Sequence, residues 1–481
     1  MKLAYISSEI TPYASTGGLA EVAASLPMVL KAAGHEVVRF MPCYRRVLEG
    51  PRPLEALDIK ISVPVGMRTF TADIMRIEEG GVPTYFIRRD EFFDRSRLYN
   101  LPDRDYEDNF ERFVFFQKAV IALIDRLELN PDIIHCNDWQ TGLMPYFLEY
   151  GVQGRRRGRR ERVVFTLHNV AYQGLFPDSD FALTNLPFSA FSVDTFEYYG
   201  KIGCLKAGIT GADAVTTVSP TYAREILTEE GGFGLDGVLR GVQDRLVGIL
   251  NGIDTEMWDP ATDPDIAANY DIHNLAGKIL CRDRLVARMN LQLGKNTLIL
   301  AMVSRLVDLK GIDLLSDIIF DLLKRDIALV ILGSGQQKYE NLARQWAEQW
   351  PGRVGVRLEY NAPLAHEIQA GADMLLLPSK SEPCGLTQFC GQRYGTLPVV
   401  HAVGGLRDSI LDPAESSTPT GIKFFAYSAS EFLSAIDRGV QLLQSPSIRM
   451  EMVRGMMSTD VSWRKAATQY EQLYERLLPT L

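Results

Sequence analysis

The sequence has no apolar run as long as the roughly 18 residues that a membrane-spanning helix needs. It begins MKLAYISSE, which lacks the apolar core and the small-residue cleavage site of a secretory signal. These two absences predict a cytoplasmic protein that has no membrane partner.

Patterns typical of disulfide frameworks and metal sites are also missing. The chain has 6 cysteines without a CxxC pair and 6 histidines without ligand-like spacing, which predicts neither a disulfide framework nor a metal. A net charge of −9 disfavours nucleic acid as the main partner. The arginine-rich run at 155–162 is interpreted as a solvated loop between a helix and a strand, with polyanion binding as the alternative.

Short apolar runs alternate with amphipathic segments along the chain. This alternation predicts parallel sheets covered by helices on both faces, and so an α/β fold. One sheet of about ten or more strands is uncommon. We therefore predict two Rossmann-like domains, joined near 250–254 and facing a deep cleft. The predicted strands are 3–7, 37–41, 132–135, 163–168, 214–218, 297–303, 328–332, 354–358, 374–377 and 398–401, and the clearest predicted helices are 19–33, 312–324 and 336–348.

Polar motifs follow the predicted strands, at the edge where such sheets bind ligands. Ser15-Thr16-Gly17-Gly18 opens the first helix, and its N–H groups suit a phosphate or a sugar hydroxyl, although a tight turn explains the glycines equally well. It is not a dinucleotide fingerprint, because GxGxxG is absent. Two further clusters, at 135–140 and 166–169, end strands with histidine, asparagine and aspartate, where a structural histidine is the alternative.

The second half carries charged groups after two of its strands. Arg305 and Lys310 suit the charge that develops on a departing diphosphate, with an ion pair to a nearby acid as the alternative. Glu382 precedes a predicted helix start near Thr387, so its carboxylate can accept hydrogen bonds from sugar hydroxyls while the helix N-terminus holds a phosphate.

Nearly the whole length of the chain resembles the bacterial glycogen synthases and plant starch synthases. The segment SWRKAATQYEQLY also resembles the closing helix of that family, which returns to the N-terminal domain. The matching stretches, in family order, are STGGLAEV, HCNDWQTGL, TLHNVAYQGLF, YYGKIGCLKAGI, VSPTYAREI, FGLDGVL, GILNGIDTEMWDP, SRLVDLKG, AHEIQAGAD, EPCGLTQ, RYGTLPVV and GGLRDSI.

The resemblance implies a fold of the GT-B type. Residues 1–250 would form the N-terminal domain, on the acceptor side and with part of the donor site. Residues 251–481 would form the nucleotide-sugar domain, with a final helix at about 462–478 that returns to the first domain. It also implies glucose transfer from ADP-glucose to the non-reducing end of an α-1,4-glucan, with retention of configuration and without a metal or cofactor.

The resemblance also implies roles for residues at the positions that match the family motifs. Arg305 and Lys310 would neutralise the leaving diphosphate, and Glu382 would hold glucose hydroxyls. The backbone carbonyl of His168 would shield the anomeric centre, and Asp138 would order the site. The expected donor-binding residues are Ser15, Gly17, Gly18, Asn251, Tyr360, Cys384, Gly385, Leu386 and Thr387, and those expected at the acceptor or sugar site are Phe93, Trp139 and Asn169.

The chain departs from the family at several of these positions. The family has Lys at Ser15, Tyr at Phe93 and a second His at Asn137. It also has Arg-Phe where this chain has Lys380-Ser381, and it usually has Asn-Lys at Cys281-Arg282. Its QKG reads LKG here, around Lys310. The altered donor residues leave two alternatives to an active ADP-glucose enzyme: a related retaining transferase with UDP-glucose or a maltooligosaccharide acceptor, and a glucan-binding homologue that has lost catalysis.

Overall fold

The computed structural model of the chain describes residues 1–101, 103–151 and 161–479. It divides into two compact units: Met1–Ile249 together with Trp463–Leu481, and Leu250–Ser462. Most of the basic run at 155–162 lies outside the described residues. Within the described ranges, no helix is both long and apolar enough to cross a membrane.

The first unit contains one large sheet and one small antiparallel sheet. Its described strands are β1 (Lys2–Ile6), β2 (Glu36–Pro42), β3 (Glu55–Val65), β4 (Arg68–Glu79), β5 (Val82–Arg88), β6 (Ile133–Asn137), β7 (Arg162–Leu167), β8 (Leu175–Pro177), β9 (Glu197–Tyr198), β10 (Lys201–Gly203), β11 (Ala214–Thr217) and β12 (Leu246–Gly248). The large sheet has the order β12-β11-β7-β6-β1-β2-β5-β4-β3, and the small sheet has the order β8-β10-β9.

The second unit has one sheet of six parallel strands in the order β15-β14-β13-β16-β17-β18. The side chains of its central strand alternate between two apolar clusters, Leu300 and Met302 in one and Ile299 and Ala301 in the other. Both faces are therefore covered, which explains the continuous apolar runs of this half. The strands are β13 (Leu298–Val303), β14 (Ile327–Leu332), β15 (Val354–Arg357), β16 (Met374–Leu377), β17 (Leu397–His401) and β18 (Ile422–Phe424).

The last helix of the chain belongs to the first unit, where it packs against the first helix. His35, just after the first helix, pairs with Glu471 of the last at 2.9 Å. The described α-helices are α1 (Gly18–Ala32), α2 (Arg45–Leu48), α3 (Asp90–Phe93), α4 (Asn109–Arg126), α5 (Met144–Tyr150), α6 (Cys204–Gly211), α7 (Pro220–Glu225), α8 (Glu229–Gly232), α9 (Asp236–Arg240), α10 (Ala276–Arg288), α11 (Ile312–Leu323), α12 (Gln337–Gln349), α13 (Ala362–Gly371), α14 (Thr387–Tyr394), α15 (Gly404–Ser409), α16 (Ala429–Gln444), α17 (Pro446–Met457) and α18 (Arg464–Leu477).

The predicted α/β class with two Rossmann-like sheets is confirmed, with one correction. The expectation of parallel sheets is wrong for β3 and β4, which add an antiparallel edge to the first sheet. In β3, Ile61 and Val63 are buried whereas Lys60 and Ser62 are exposed, so only one face of this edge strand is covered. The hairpin turns at Gly66, whose φ of +58° favours glycine.

The parallel part of each large sheet contains one point at which the strand order reverses. The reversal lies between β1 and β6 in the first unit and between β13 and β16 in the second. At such a switch point, the loops that follow the two adjacent strands run to opposite faces of the sheet, which opens a crevice for ligands. The four loops begin at Ser7, Asp138, Ser304 and Pro378.

Candidate functional site

The loop after β1 is held by a buried carboxylate. Glu9 accepts hydrogen bonds from the backbone N–H and the hydroxyl of Thr16, and from the Tyr99 hydroxyl at 2.6 Å. Burial raises the pKa of Glu9 above its ordinary value. These contacts place Gly17 and Gly18, both exposed, at the start of α1, where free N–H groups meet solvent.

Asp138 joins the loops that follow β6 and β7. Its carboxylate accepts the backbone N–H of His168 at 2.8 Å and that of Asn169. Burial raises the pKa of Asp138 to about 7, although these two bonds oppose the shift. The backbone of Asp138 has φ +55°, which is unfavourable for a residue with a Cβ and is maintained by the surrounding contacts.

The His168 ring is oriented from β6. Its Nε2 lies 2.9 Å from Oδ1 of Asn137, and burial lowers the pKa of the ring to about 3. The imidazole is therefore neutral near pH 7. Asn137 belongs to the polar cluster predicted at 135–140, but it was assigned no role. Its contact with His168 was not predicted, because it joins the ends of two strands that are distant in the sequence.

The predicted sugar-site residues differ in accessibility. Trp139 is half-buried and packs against Phe113 and Phe176, with ring centroids 5.1 and 5.6 Å apart. Asn169 is half-buried and accepts the Ala171 N–H at 3.0 Å. Phe93, in contrast, is 0% exposed.

Phe93 is not at the ligand-facing edge but in an aromatic core. It contacts Tyr44 edge-on, with centroids 5.7 Å apart, and the buried Arg112 guanidinium lies 5.3 Å from its ring centroid. An apolar ring suits this position because a hydroxyl there would require its own buried partner. In this structure Phe93 packs inside that aromatic core and has no surface to offer a sugar.

A cation near Ser15 comes from a residue that the sequence did not indicate. Arg46, exposed on α2, directs Nη1 to the Ser15 carbonyl at 3.4 Å, and its charge also lowers the pKa of Glu9. Arg95 is instead held by both oxygens of Asp108. The hydrogen bond to Ser15 depends on the fold, since α2 follows β2 and the Ser15 loop follows β1.

The loops after β13 and β16 carry the charged groups of the second unit. Lys310 forms an ion pair with Glu382, and Glu382 also accepts the Ser379 hydroxyl at 2.9 Å. Arg305 is exposed, and within the described chain its guanidinium has neither an ion pair nor a hydrogen bond. The loops therefore combine a fixed ion pair with exposed cations, Arg305 after β13 and Lys380 after β16.

Two glycines allow neighbouring segments to pack closely against the loop after β16. A Cβ on Gly311 would lie 2.0 Å from the Pro378 carbonyl oxygen, and one on Gly404 would lie 2.0 Å from that of Glu382. Both also have positive φ, +73° and +43° respectively. Replacing either would displace the Lys310 or Glu382 backbone.

The turn before α14 places the remaining predicted donor residues. Cys384 is buried, its thiol accepts the backbone N–H of Asn251, and burial raises the pKa of that thiol to about 12. Gly385 has φ +73°, and α14 begins at Thr387, immediately after Leu386. The buried Oδ1 of Asn251 has no described hydrogen-bond partner. Free helix N–H groups and an unpaired amide oxygen suit a polar ligand.

Tyr360 is on a different loop from these residues. It is 91% exposed and follows β15, the edge strand, two strands away from β13.

The polar groups of a second cluster in this unit bind one another. Asp263 pairs with His366 at 2.7 Å and accepts a hydrogen bond from the Tyr394 hydroxyl, while Trp258 stacks on His366. Asp265 completes a set whose ligand atoms are close enough for a metal ion.

Comparison with known proteins places the chain in a family. The starch synthase catalytic domain family matches residues 2–241, and glycosyl transferases group 1 match residues 283–453. Glycogen synthase 2 of Geobacter metallireducens is 40% identical over 98% of both chains. Glycogen synthase of Anaeromyxobacter dehalogenans is 40% identical over 100% of both.

Solved structures agree in fold. The catalytic domain of starch synthase IV from Arabidopsis thaliana, bound to ADP and acarbose, superposes with a TM-score of 0.90, at 33% identity and over 98% of each chain. Sucrose-phosphate synthase from Thermosynechococcus elongatus shares the fold alone, with a TM-score of 0.63 and 18% identity over 99% of this chain and 98% of the other. The chain belongs to the glycogen and starch synthase family of glycosyltransferases and has the GT-B fold.

Proposed function

We propose that this chain transfers glucose from ADP-glucose to the non-reducing end of an α-1,4-glucan, with retention of configuration. The observation that carries the proposal is the charge arrangement in the second unit. Arg305 is available to a ligand, whereas Lys310, which also follows β13, forms a fixed pair with Glu382 after the adjacent strand β16. The ADP bound to the related starch synthase IV supports the choice of nucleotide.

The reaction breaks the bond between the anomeric carbon and the diphosphate oxygen, and it forms a bond from that carbon to the O4 hydroxyl oxygen of the glucan end, whose proton is released. Negative charge then develops on the diphosphate, and the Arg305 and Lys310 cations stabilise it. Glu382 holds glucose hydroxyls through charge-assisted hydrogen bonds. Asn251, Tyr360 and the stretch from Cys384 to Thr387 belong to the proposed donor site, where the α14 N-terminus favours an anion.

The first unit contributes oriented polar groups. In the proposal the His168 carbonyl faces the developing positive charge of the sugar, and Asp138 fixes the His168 backbone. Ser15, Gly17 and Gly18 complete the donor site, while Trp139 and Asn169 contact sugar. Phe93 acts only through the core that it fills. That the reaction needs no metal or cofactor stays a prediction.

A donor comparison tests the proposal. The purified protein is incubated with glycogen and either ADP-glucose or UDP-glucose, and release of the nucleoside diphosphate is measured with and without EDTA. We expect faster release from ADP-glucose, no effect of EDTA, and new α-1,4 linkages by NMR. Preference for UDP-glucose would overturn the donor assignment, and β-linked product would overturn retention. No transfer from either donor would favour a glucan-binding homologue.

A further inference from the structure

The hydrogen bonds of the buried Asn137 side chain determine its orientation. One end of the amide lies 3.0 Å from the carbonyl oxygen of Ile6. A carbonyl oxygen only accepts, so the amide nitrogen must point to Ile6. The Asn137 Oδ1 therefore faces the Tyr5 hydroxyl at 3.0 Å and His168 Nε2 at 2.9 Å.

This orientation also determines where the His168 proton lies. Because Asn137 Oδ1 only accepts, His168 Nε2 must carry the hydrogen of their contact. Burial lowers the pKa of His168 to about 3, so the neutral ring near pH 7 has no second proton. Its Nδ1 then carries a lone pair, and no donor to it exists in the part of the chain that the structure describes.

The backbone and the ring of His168 are held independently. Asp138 binds the His168 N–H at 2.8 Å, whereas Asn137 binds the far nitrogen of the ring. His168 is half-buried and begins the loop after β7, at the ligand-binding edge of the sheet. A fixed lone pair at such an edge accepts a hydrogen bond from a ligand hydroxyl.

We propose that Asn137 is a positioning residue that keeps His168 in its Nε2–H tautomer, so that Nδ1 accepts a hydrogen bond from a hydroxyl of the transferred glucose. The sugar contact rests on the proposed function. The hydrogen on Nε2 rests on the hydrogen bonds alone. Histidine, the family residue at this position, can also donate from one nitrogen and accept at the other, so Asn137→His preserves the arrangement.

Replacing the amide by a carboxylate reverses the effect. In Asn137→Asp a negative charge beside Nε2–H favours the imidazolium, which places a hydrogen on Nδ1 and removes the acceptor. Asn137→Leu removes the contact without adding charge. Other titratable groups in this region are His135 on β6, Asp138 after β6, Tyr5 on β1 and Tyr222 on α7, and Glu9 after β1 interacts with Asp138. Because Asp138 also titrates, with a pKa of about 7, each variant is compared with wild type at every pH.

Nitrogen-15 NMR of histidine-labelled protein tests the tautomer directly, with the His168 signals assigned from their absence in His168→Gln. In wild type and Asn137→His, we expect the His168 Nε2 to be protonated and its Nδ1 to be unprotonated. In Asn137→Asp, we expect His168 to be an imidazolium near neutral pH. A wild-type spectrum with hydrogen on Nδ1 would overturn the proposal. This readout needs no activity, so it stands even if the proposed function fails.

The pH profile and donor binding test the consequence. At pH 7, kcat/KM of Asn137→Asp should fall roughly tenfold to a hundredfold and recover as the pH rises, because deprotonation restores the Nδ1 acceptor. Asn137→Leu should lose activity without this recovery, and Asn137→His should stay within a few-fold of wild type. Identical profiles for Asn137→Asp and wild type would overturn the role of Asn137. Saturation with ADP-glucose should shift the Nδ1 signal, and calorimetric binding without such a shift would overturn the sugar contact.

Discussion

The switch points of the two units hold different kinds of polar group. In the first unit, Asn137 and His168 are neutral and hydrogen-bonded to each other across strands. In the second, Arg305 is an exposed cation and Lys310 is paired with Glu382. Neutral groups can be buried when hydrogen-bonded, whereas an unpaired charge must stay near water. The first switch point thus provides orientation and the second provides charge.

Removing the available cation gives the largest expected effect. Arg305→Ala should lower kcat with ADP-glucose roughly 10²–10³-fold, because it removes an exposed, unpaired cation that stabilises the developing diphosphate charge. Steady-state kinetics on glycogen measure the loss. Arg344→Ala, at an exposed helix position of the same unit, is the matched control and should be unaffected. Near-normal turnover of Arg305→Ala would show that other groups stabilise the diphosphate.

Removing the paired carboxylate should have a smaller effect. Glu382→Gln keeps the shape of the side chain but weakens its hydrogen bonds to sugar hydroxyls and leaves Lys310 without its carboxylate. We expect roughly a tenfold to hundredfold loss of kcat/KM with an unchanged melting temperature. Glu340→Gln on α12 is the control. If Glu382→Gln unfolds instead, the carboxylate is structural.

The Ser15 region sharpens the comparison, because there the first unit also presents a charge. Arg46→Ala should lower kcat/KM with ADP-glucose by up to about tenfold, since its guanidinium is the cation beside Ser15. Ser15→Lys should raise kcat/KM, and by more in the Arg46→Ala background than in wild type. Arg45→Ala, which removes an ion pair with Asp94, is the control. Equal effects of Ser15→Lys in both backgrounds would show that the two cations act independently.

The smallest expected effect concerns stability at acidic pH. Burial lowers the pKa of His168 and of His135 from 6.5 to about 3. The unfolded chain therefore binds more protons on these histidines, and the native state loses stability as pH falls below about 6.5. Asp138 opposes this trend, because its pKa is raised to about 7 and the native state takes up its proton first.

His168→Gln removes one of these titrations. Its melting temperature should therefore fall less than that of wild type between pH 7 and pH 5, by an amount equivalent to at most about 2 kcal/mol. Differential scanning calorimetry measures both proteins. His273→Gln, at an exposed position, controls for the loss of an imidazole. An equal fall in His168→Gln and wild type would mean that His168 accepts a proton in the native state.

Sequence patterns predicted most strands, because buried parallel strands are continuous apolar runs that end at polar residues. The strand β16 is found where it was predicted, and the predicted helix at 19–33 is shifted by one residue from α1. The edge strand β3 was missed because it alternates exposed and buried residues, a period-2 signal weaker than a long apolar run. Its turn at Gly66 was the remaining clue.

By itself, the sequence determined the α/β class and the residue types that follow the strands, because these depend on local periodicity and on short motifs such as EPCGLTQ. Only the tertiary structure decided which of those residues meet. Asn137 and His168 lie 31 positions apart, and Lys310 and Glu382 lie 72 positions apart. Each pair forms because two strands are adjacent in a sheet, and strand order depends on the packing of the whole unit. The same packing enclosed Phe93 in the core and placed Arg46 beside Ser15, where the periodicity of the sequence contains no signal.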